Sequence, residues 1–234
     1  MLEYLKEIER ASGTGSISLY LPPGFSVSEI GDSLRRSSAY PIPGDLNLSA
    51  LNTRNGAAIF WGDTQKCLVI PPFPLSERAI SCGYVTEPLS ALLSSDFIIG
   101  LVLVHLGSYA VGILKGERLI SSKVGTGLIH GRHKKGGSSQ QRFQRRRENQ
   151  AQEFLDRVCL NAQYNLEPYK RQVNYIAYGG PRQTVIQLQK RCAFLQSFKD
   201  RVLPLLDVPA PRQRVLEATI SRIWSSHVID WQEE

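Results

Sequence analysis

The spacing of apolar residues changes several times along this chain, and each change marks a boundary between elements. Leu2–Arg10 is amphipathic and predicts a short helix. Ser16–Leu21 alternates and stops at Pro22-Pro23-Gly24, a strand ended by a turn. Val27, Ile30 and Leu34 have helical spacing within Val27–Ser37. Ala57–Trp61 and Lys66–Ile70 are apolar runs separated by Gly62-Asp63-Thr64-Gln65, the pattern of a hairpin, which Pro71-Pro72-Phe73-Pro74 ends. Glu87–Leu93 predicts another short helix. Residues 1–95 therefore read as a small N-terminal α/β region.

Three more apolar runs follow: Phe97–Leu106, Ala110–Lys115 and Arg118–Gly125, with Gly107 and Gly116 at the breaks. They predict consecutive antiparallel strands. A Gly-rich basic loop over 126–139 leads into a long helix over 140–166, in which Phe143, Ala151, Phe154, Leu155, Val158 and Ala162 share one face. Val173–Tyr178 predicts a strand and Gly179-Gly180-Pro181 a turn. Arg182–Phe198 predicts a helix with Val185, Leu188, Cys192 and Leu195 inward. Arg201–Val208 predicts a strand, Pro211–Trp224 a helix with proline near its first turn, and Val228–Trp231 a closing strand. The predicted fold class is α/β (α+β), a mixed sheet covered by helices. A second domain over 96–234 is expected, with the 1–95 region packed on it.

Composition adds one fact. Apolar residues make up 42% and charged residues 21% of the 234 positions, ordinary for a globular chain, yet the net charge is +7. From Arg118 to Arg147 there are nine Lys/Arg and no Asp/Glu, and the rest of the chain is slightly acidic. So local an excess points to a polyanion. Cys67, Cys82, Cys159 and Cys192 form no C-x-x-C pair and follow no secretory signal, so reduced, mostly buried thiols in a cytosolic protein are expected. The longest apolar run, Phe97–Leu106, is about half of what a membrane span needs and holds His105. It predicts a buried strand with a core histidine, and no membrane partner is expected. Trp61 and Trp224 fit core positions.

The candidate chemistry lies at 130–150, His-Gly-Arg-His-Lys-Lys-Gly-Gly-Ser-Ser-Gln-Gln-Arg-Phe-Gln-Arg-Arg-Arg-Glu-Asn-Gln. A glycine pair can take backbone conformations closed to other residues. The neutral amides of Gln140 and Gln141 come just after it, and cations flank both sides. A carboxamide does not titrate near neutrality, so Gln140 cannot act as an ordinary base. It can orient a water or donate to charge growing on an oxygen. Arg147 falls on the side of Phe143 and Ala151, facing RNA less directly than Arg146. His130 and His133 have no carboxylate or cysteine near them, and no metal or cofactor is predicted. Asp96 stands alone, without the strand carboxylates that a Mg²⁺-dependent nuclease needs, and Glu153 and Asp156 are expected to be solvated.

Three strands, a Gly-Gly loop and a basic helix together resemble the central domain of the eukaryotic and archaeal class I peptide release factors. Gly136 and Gly137 match their glycine pair; Ser139, Arg142 and Phe143 match the helix start, continued by Arg145 and Arg146. Tyr178-Gly179-Gly180-Pro181, and Leu203–Val208 followed by Pro211, resemble later units, so the likeness covers roughly 97–231. Ser138 stands where release factors carry their glutamine, but Gly137-Ser138-Ser139-Gln140 forms a Gly-x-x-Gln pattern. That pattern is similar to the branch typified by the ankyrin-repeat zinc-finger tRNA endonuclease of ribosome-associated quality control. Val124-Gly125-Thr126-Gly127, residues 131–137, Leu19–Gly24 and Asn55–Trp61 resemble its bacterial members, although ankyrin repeats and zinc-finger spacing are missing here.

The resemblance implies a release-factor central-domain (RNase H-like) architecture acting in the cytoplasm. Its partners would be peptidyl-tRNA and the large ribosomal subunit with its ribosomal RNA. It assigns a catalytic set of Gln140, Gly136, Gly137, Ser138 and Ser139, and an RNA-binding set of Arg132, His133, Lys134, Lys135, Arg142, Arg145 and Arg146. The bond cut would be the peptidyl ester or a phosphodiester near the CCA end. Other branches have lost the glutamine, so a non-catalytic ribosome- or RNA-binding rescue or assembly factor is the alternative. The sequence sets no oligomeric state.

Overall fold

A computed structural model describes residues 1–37, 53–128 and 140–231. In chain order the helices are α1 (Leu2–Arg10), α2 (Val27–Ser37), α3 (Glu87–Leu93), α4 (Gln140–Leu166), α5 (Arg182–Arg191), α6 (Ala193–Gln196) and α7 (Gln213–Ile223). The strands are β1 (Ile17–Leu21), β2 (Ala57–Trp61), β3 (Lys66–Ile70), β4 (Ala79–Cys82), β5 (Ile98–His105), β6 (Ser108–Lys115), β7 (Arg118–Thr126), β8 (Val173–Gly179) and β9 (His227–Asp230). The chain is mixed α/β and divides into two compact units, Met1–Ser95 with Trp224–Glu234, and Asp96–Ile223.

The first unit holds an antiparallel sheet in the order β4-β1-β2-β3-β9. Successive side chains of a strand point to opposite faces, and both faces are covered, so β1 and β2 are buried along their whole length. Tyr20, Ala58, Phe60, Cys67 and Val69 face one cluster with Leu5, Ile8 and Leu89 from α1 and α3. Leu19, Leu21, Ile59, Trp61 and Leu68 face the other with Ile30 and Leu34 of α2. The expected closing strand is present as β9, but it pairs with β3 of this sheet (Val69↔Val228). The C-terminus thus returns to the first unit, whereas the sequence division grouped it with residues from 96 onward. The short edge strand β4 lacked a sequence signal because it is largely exposed and has no apolar alternation.

In the second unit the sheet order is β7-β6-β5-β8, with β5–β6 and β6–β7 antiparallel and β5–β8 parallel. Val102, Val104, Val111 and Ile113 point to one face, where Phe154, Leu155, Val158, Ala162 and Leu166 of α4 pack beside Val185 and Leu188 of α5. Burying each such side chain contributes about 2 kcal/mol. On the opposite face Leu216 of α7 lies over Gly112, close enough to touch a β-carbon placed there.

Two predicted elements are altered. The helix expected over Arg182–Phe198 breaks at Cys192, whose φ of −103° and ψ of 91° are extended. The strand expected over Arg201–Val208 is an extended segment with two parallel bridges to β8, Ile176↔Val202 and Gly179↔Leu206. Pro204 lies between those bridges and has no N–H to donate, so no continuous ladder forms.

The cysteine expectation is corrected as well. Cys159 and Cys192 form a disulfide, with Cα atoms 5.5 Å apart, rather than reduced thiols. Cys67 is buried and free, and Cys82 is exposed and free. The extended break at Cys192 turns its side chain toward α4, a juxtaposition that a separation of 33 residues does not announce.

Candidate functional site

The site is built where β7 ends and α4 begins. Gly127 N–H donates to the Gly107 carbonyl at 2.9 Å, closing the end of the β6–β7 ladder. Two aromatic rings then lie directly on the backbone. A β-carbon at Gly125 would overlap the Tyr109 ring, and one at Gly127 would come within 2.5 Å of the Phe154 ring. Tyr109 and Phe154 meet edge to face, with centroids 6.1 Å apart. The glycines flanking Thr126 are therefore required by close packing, and they fix where the chain leaves the sheet.

The other end of the loop is set by α4. Its 27 residues span about 40 Å. Continuous burial begins only at Phe154, so the first fourteen positions reach about 21 Å past the last anchoring ring. The packed portion is held by more than its apolar stripe. The Cys159–Cys192 disulfide ties it to the start of α6, and Arg191 of α5 makes a two-pronged ion pair with Asp156 at 3.0 and 2.7 Å.

Gln140 is the first residue of α4, and Arg142, Arg145 and Arg146 are exposed along its projecting part. Arg147 is half-buried. Phe143, expected on the inward face, is 53% exposed. At about 100° per residue it lies on the flank of the buried stripe, and the anchored part of the helix starts eleven residues later, at Phe154. Gln144 and Glu148, both exposed, bond to each other at 2.9 Å along this stretch. No acidic residue stands in the first turn of α4. Arginines next to the positive end of a helix dipole raise its energy, and a bound anion offsets this. The arrangement therefore suits phosphate contacts more than helix stability.

Gly136, Gly137, Ser138, Ser139, Arg132, His133, Lys134 and Lys135 lie outside the described residues, as does His130. His105 is held structurally: its Nε2 is 2.8 Å from the Val208 carbonyl oxygen. Trp61 and Trp224 are buried. Asp156, expected to be solvated, is half exposed but engaged by Arg191. Among the described residues no group of three His, Cys, Asp or Glu could hold a metal ion. None of their helices is long and apolar enough to cross a membrane. Sequence reasoning passed over Arg157, an exposed cation on α4 close to Tyr109. Its helical phase relative to Arg146 was the available signal.

A family model described as Actinobacteria/chloroflexi VLRF1 release factor matches residues 98–229, more than half of the chain. The chain belongs to this release-factor family. The VLRF1 match takes in β5 to β8, all of α4 and all but the last residue of β9. Peptide chain release factor subunit 1 of Pyrococcus abyssi is 29% identical over 238 residues, covering 88% of this chain and 57% of the relative. The corresponding protein of Archaeoglobus fulgidus is 28% identical over 238 residues, covering 87% of this chain and 58% of the relative. This VLRF1-family chain thus spans somewhat over half the length of the curated relatives it matches. The crystal structure of the archaeal translation termination factor aRF1 aligns with a TM-score of 0.41 at 21% identity, over 94% of this chain and 71% of that one.

Proposed function

We propose that this protein frees nascent chains from peptidyl-tRNA on stalled large ribosomal subunits, with a Gly-x-x-Gln loop as its working part. The observation that carries this reading is Gln140 at the head of a projecting helix, followed by exposed Arg142, Arg145 and Arg146, within the release-factor match. In this reading the arginines, together with Arg132, His133, Lys134 and Lys135, hold phosphates of tRNA and ribosomal RNA. Such contacts position the loop without reading sequence. Gly136 and Gly137 let the backbone approach the tRNA 3′ end, and Ser138 and Ser139 space the glutamine from them. The Gln140 carboxamide orients a water or donates to the oxygen on which charge develops. For ester hydrolysis, water adds to the peptidyl carbonyl carbon and the ribose 3′ oxygen leaves with a proton. For cleavage near the CCA end, a ribose 2′-hydroxyl gives up its proton and attacks the adjacent phosphorus, forming a 2′,3′-cyclic phosphate, and the 5′ oxygen leaves with a proton. The second chemistry would place the chain nearer to the quality-control endonuclease branch.

The experiment compares wild type with Gln140→Ala on stalled large-subunit complexes and maps the tRNA 3′ end. A peptide released with an intact CCA end means ester hydrolysis, and a shortened end means phosphodiester cleavage. Absence of either product with the wild type refutes the enzymatic reading. Retained ribosome binding in that case would favour a non-catalytic rescue or assembly factor, which Ser138 at the release-factor glutamine position allows.

A further inference from the structure

The two flanks of α4 differ in charge, and the fold fixes where each one faces. On a helical wheel of about 100° per residue, Asp156 and Cys159 fall on one side of the buried stripe. That side faces α5 and α6, because Asp156 pairs with Arg191 and Cys159 is bonded to Cys192. Arg146, Gln150, Arg157, Asn161 and Tyr164 fall on the other side, and all five are exposed or half-exposed. This flank faces β7. Burial raises the Tyr109 hydroxyl pKa, and the nearby Arg157 guanidinium opposes that rise. Tyr109 in turn lies against Gly125 of β7.

β7 ends the sheet, so one of its edges is unpaired among the described residues. Lys123 is opposite Val111 in the β6–β7 register, and Val111 packs into the α4 cluster. Opposite residues of a ladder share a face, so exposed Lys123 stands on the side that α4 covers. The packed part of this α4 flank and the β7 margin therefore lie side by side with two cations, Arg157 and Lys123, one amide and one aromatic ring, and Arg146 and Gln150 continue the flank beyond the sheet toward Gln140. Glu153 lies about 20° from Arg146 and Tyr164 on the wheel, toward the outer crest, and is the one acidic residue beside this flank of α4; β7 contains no acidic residue. Tyr164 is 82% exposed, so its ring face is open to stacking.

We propose that the groove between α4 and β7 binds single-stranded RNA, the 3′ strand that leads to the loop, with Arg146, Arg157 and Lys123 on its phosphates and Tyr164 stacked on a base. Cations that track a backbone beside an aromatic ring suit single strands of any sequence. Gln150 and Asn161 add donors and acceptors between the cations. The inference deepens the proposed function by naming the RNA segment and its path, and it rests on that reading only for the origin of the strand.

The test is fluorescence anisotropy of the full chain with a labelled single-stranded RNA of about eight nucleotides ending in CCA, and with the same strand in a duplex. Tyr164→Ala is expected to weaken single-strand binding about tenfold, in the range found for loss of one base stack. Arg157→Ala and Lys123→Ala should each weaken it several-fold and reduce the salt slope by about 0.7, the value for one phosphate contact on a single strand. Gln163→Ala, on the α5-side flank, should bind as wild type, and thermal melts check folding of every variant. Unchanged affinity in Tyr164→Ala, Arg157→Ala and Lys123→Ala overturns the groove; so does an equal loss in Gln163→Ala or a preference for the duplex. A groove that serves a protein partner gives the first of these results. The readout is binding without turnover, so failure here is separable from failure of the Gln140→Ala assay.

Discussion

Reducing the Cys159–Cys192 bond should destabilise the second unit and leave the first almost untouched. The closed loop spans 33 residues. In the chain-entropy description, releasing that constraint frees about 12.5 cal/mol/K in the unfolded state, or about 3.7 kcal/mol at room temperature. The second unit, Asp96–Ile223, is about 128 residues long. At roughly 2.1 cal/mol/K of unfolding entropy per residue, the loss lowers its melting midpoint by about 14 °C. The chain carries its own control: its three tryptophans, Trp61, Trp224 and Trp231, all belong to the first unit. Tryptophan fluorescence therefore follows one unit, and hydrogen exchange along α4 follows the other. With dithiothreitol, or in Cys159→Ala/Cys192→Ala, α4 amides should lose protection while the fluorescence transition stays near its oxidised midpoint. Equal α4 protection in oxidised and reduced protein would mean that the bond adds nothing to its packing. A fluorescence shift as large as the α4 effect would mean that the two units unfold as one, and the size-based magnitude would not apply.

Three further outcomes are expected. Gly127→Ala places a methyl about 2.5 Å from the Phe154 ring and should destabilise the second unit by about 1–3 kcal/mol, read by urea unfolding followed by far-UV circular dichroism. Replacing Arg142, Arg145 and Arg146 together by alanine should reduce the slope of log affinity for single-stranded RNA against log salt by about 2, read by anisotropy at several salt concentrations. Burial pushes the Cys67 thiol up from 9.0 to about 11, so the fold favours its protonated form. That contribution is complete below pH 9 and is lost as pH rises through about 11. Tryptophan-monitored stability of the first unit should fall over this window, and less steeply in Cys67→Ala.

Much of this protein was determined by local pattern. The period of apolar residues located α4 at Gln140–Leu166 and both strands of the β2–β3 hairpin, because core burial demands those periods wherever the chain folds. The concentration of positive charge at 118–147 is likewise a property of sequence alone, whereas the projection of its arginines is not. Features that depend on distant partners were not legible. Phe143 has helical spacing like Phe154, yet only the extent of the sheet beneath α4 decides that one is exposed and the other buried. Cys159 meets Cys192 because an extended residue interrupts a helix 33 positions away, and β9 belongs to the first unit because it pairs with β3, 157 or more positions earlier in the chain. The flank of α4 that carries Arg157 and Tyr164 could be drawn from the sequence, but its direction could not. That direction was set by the disulfide and the Asp156–Arg191 pair, which turn the opposite flank toward α5 and leave this one beside β7.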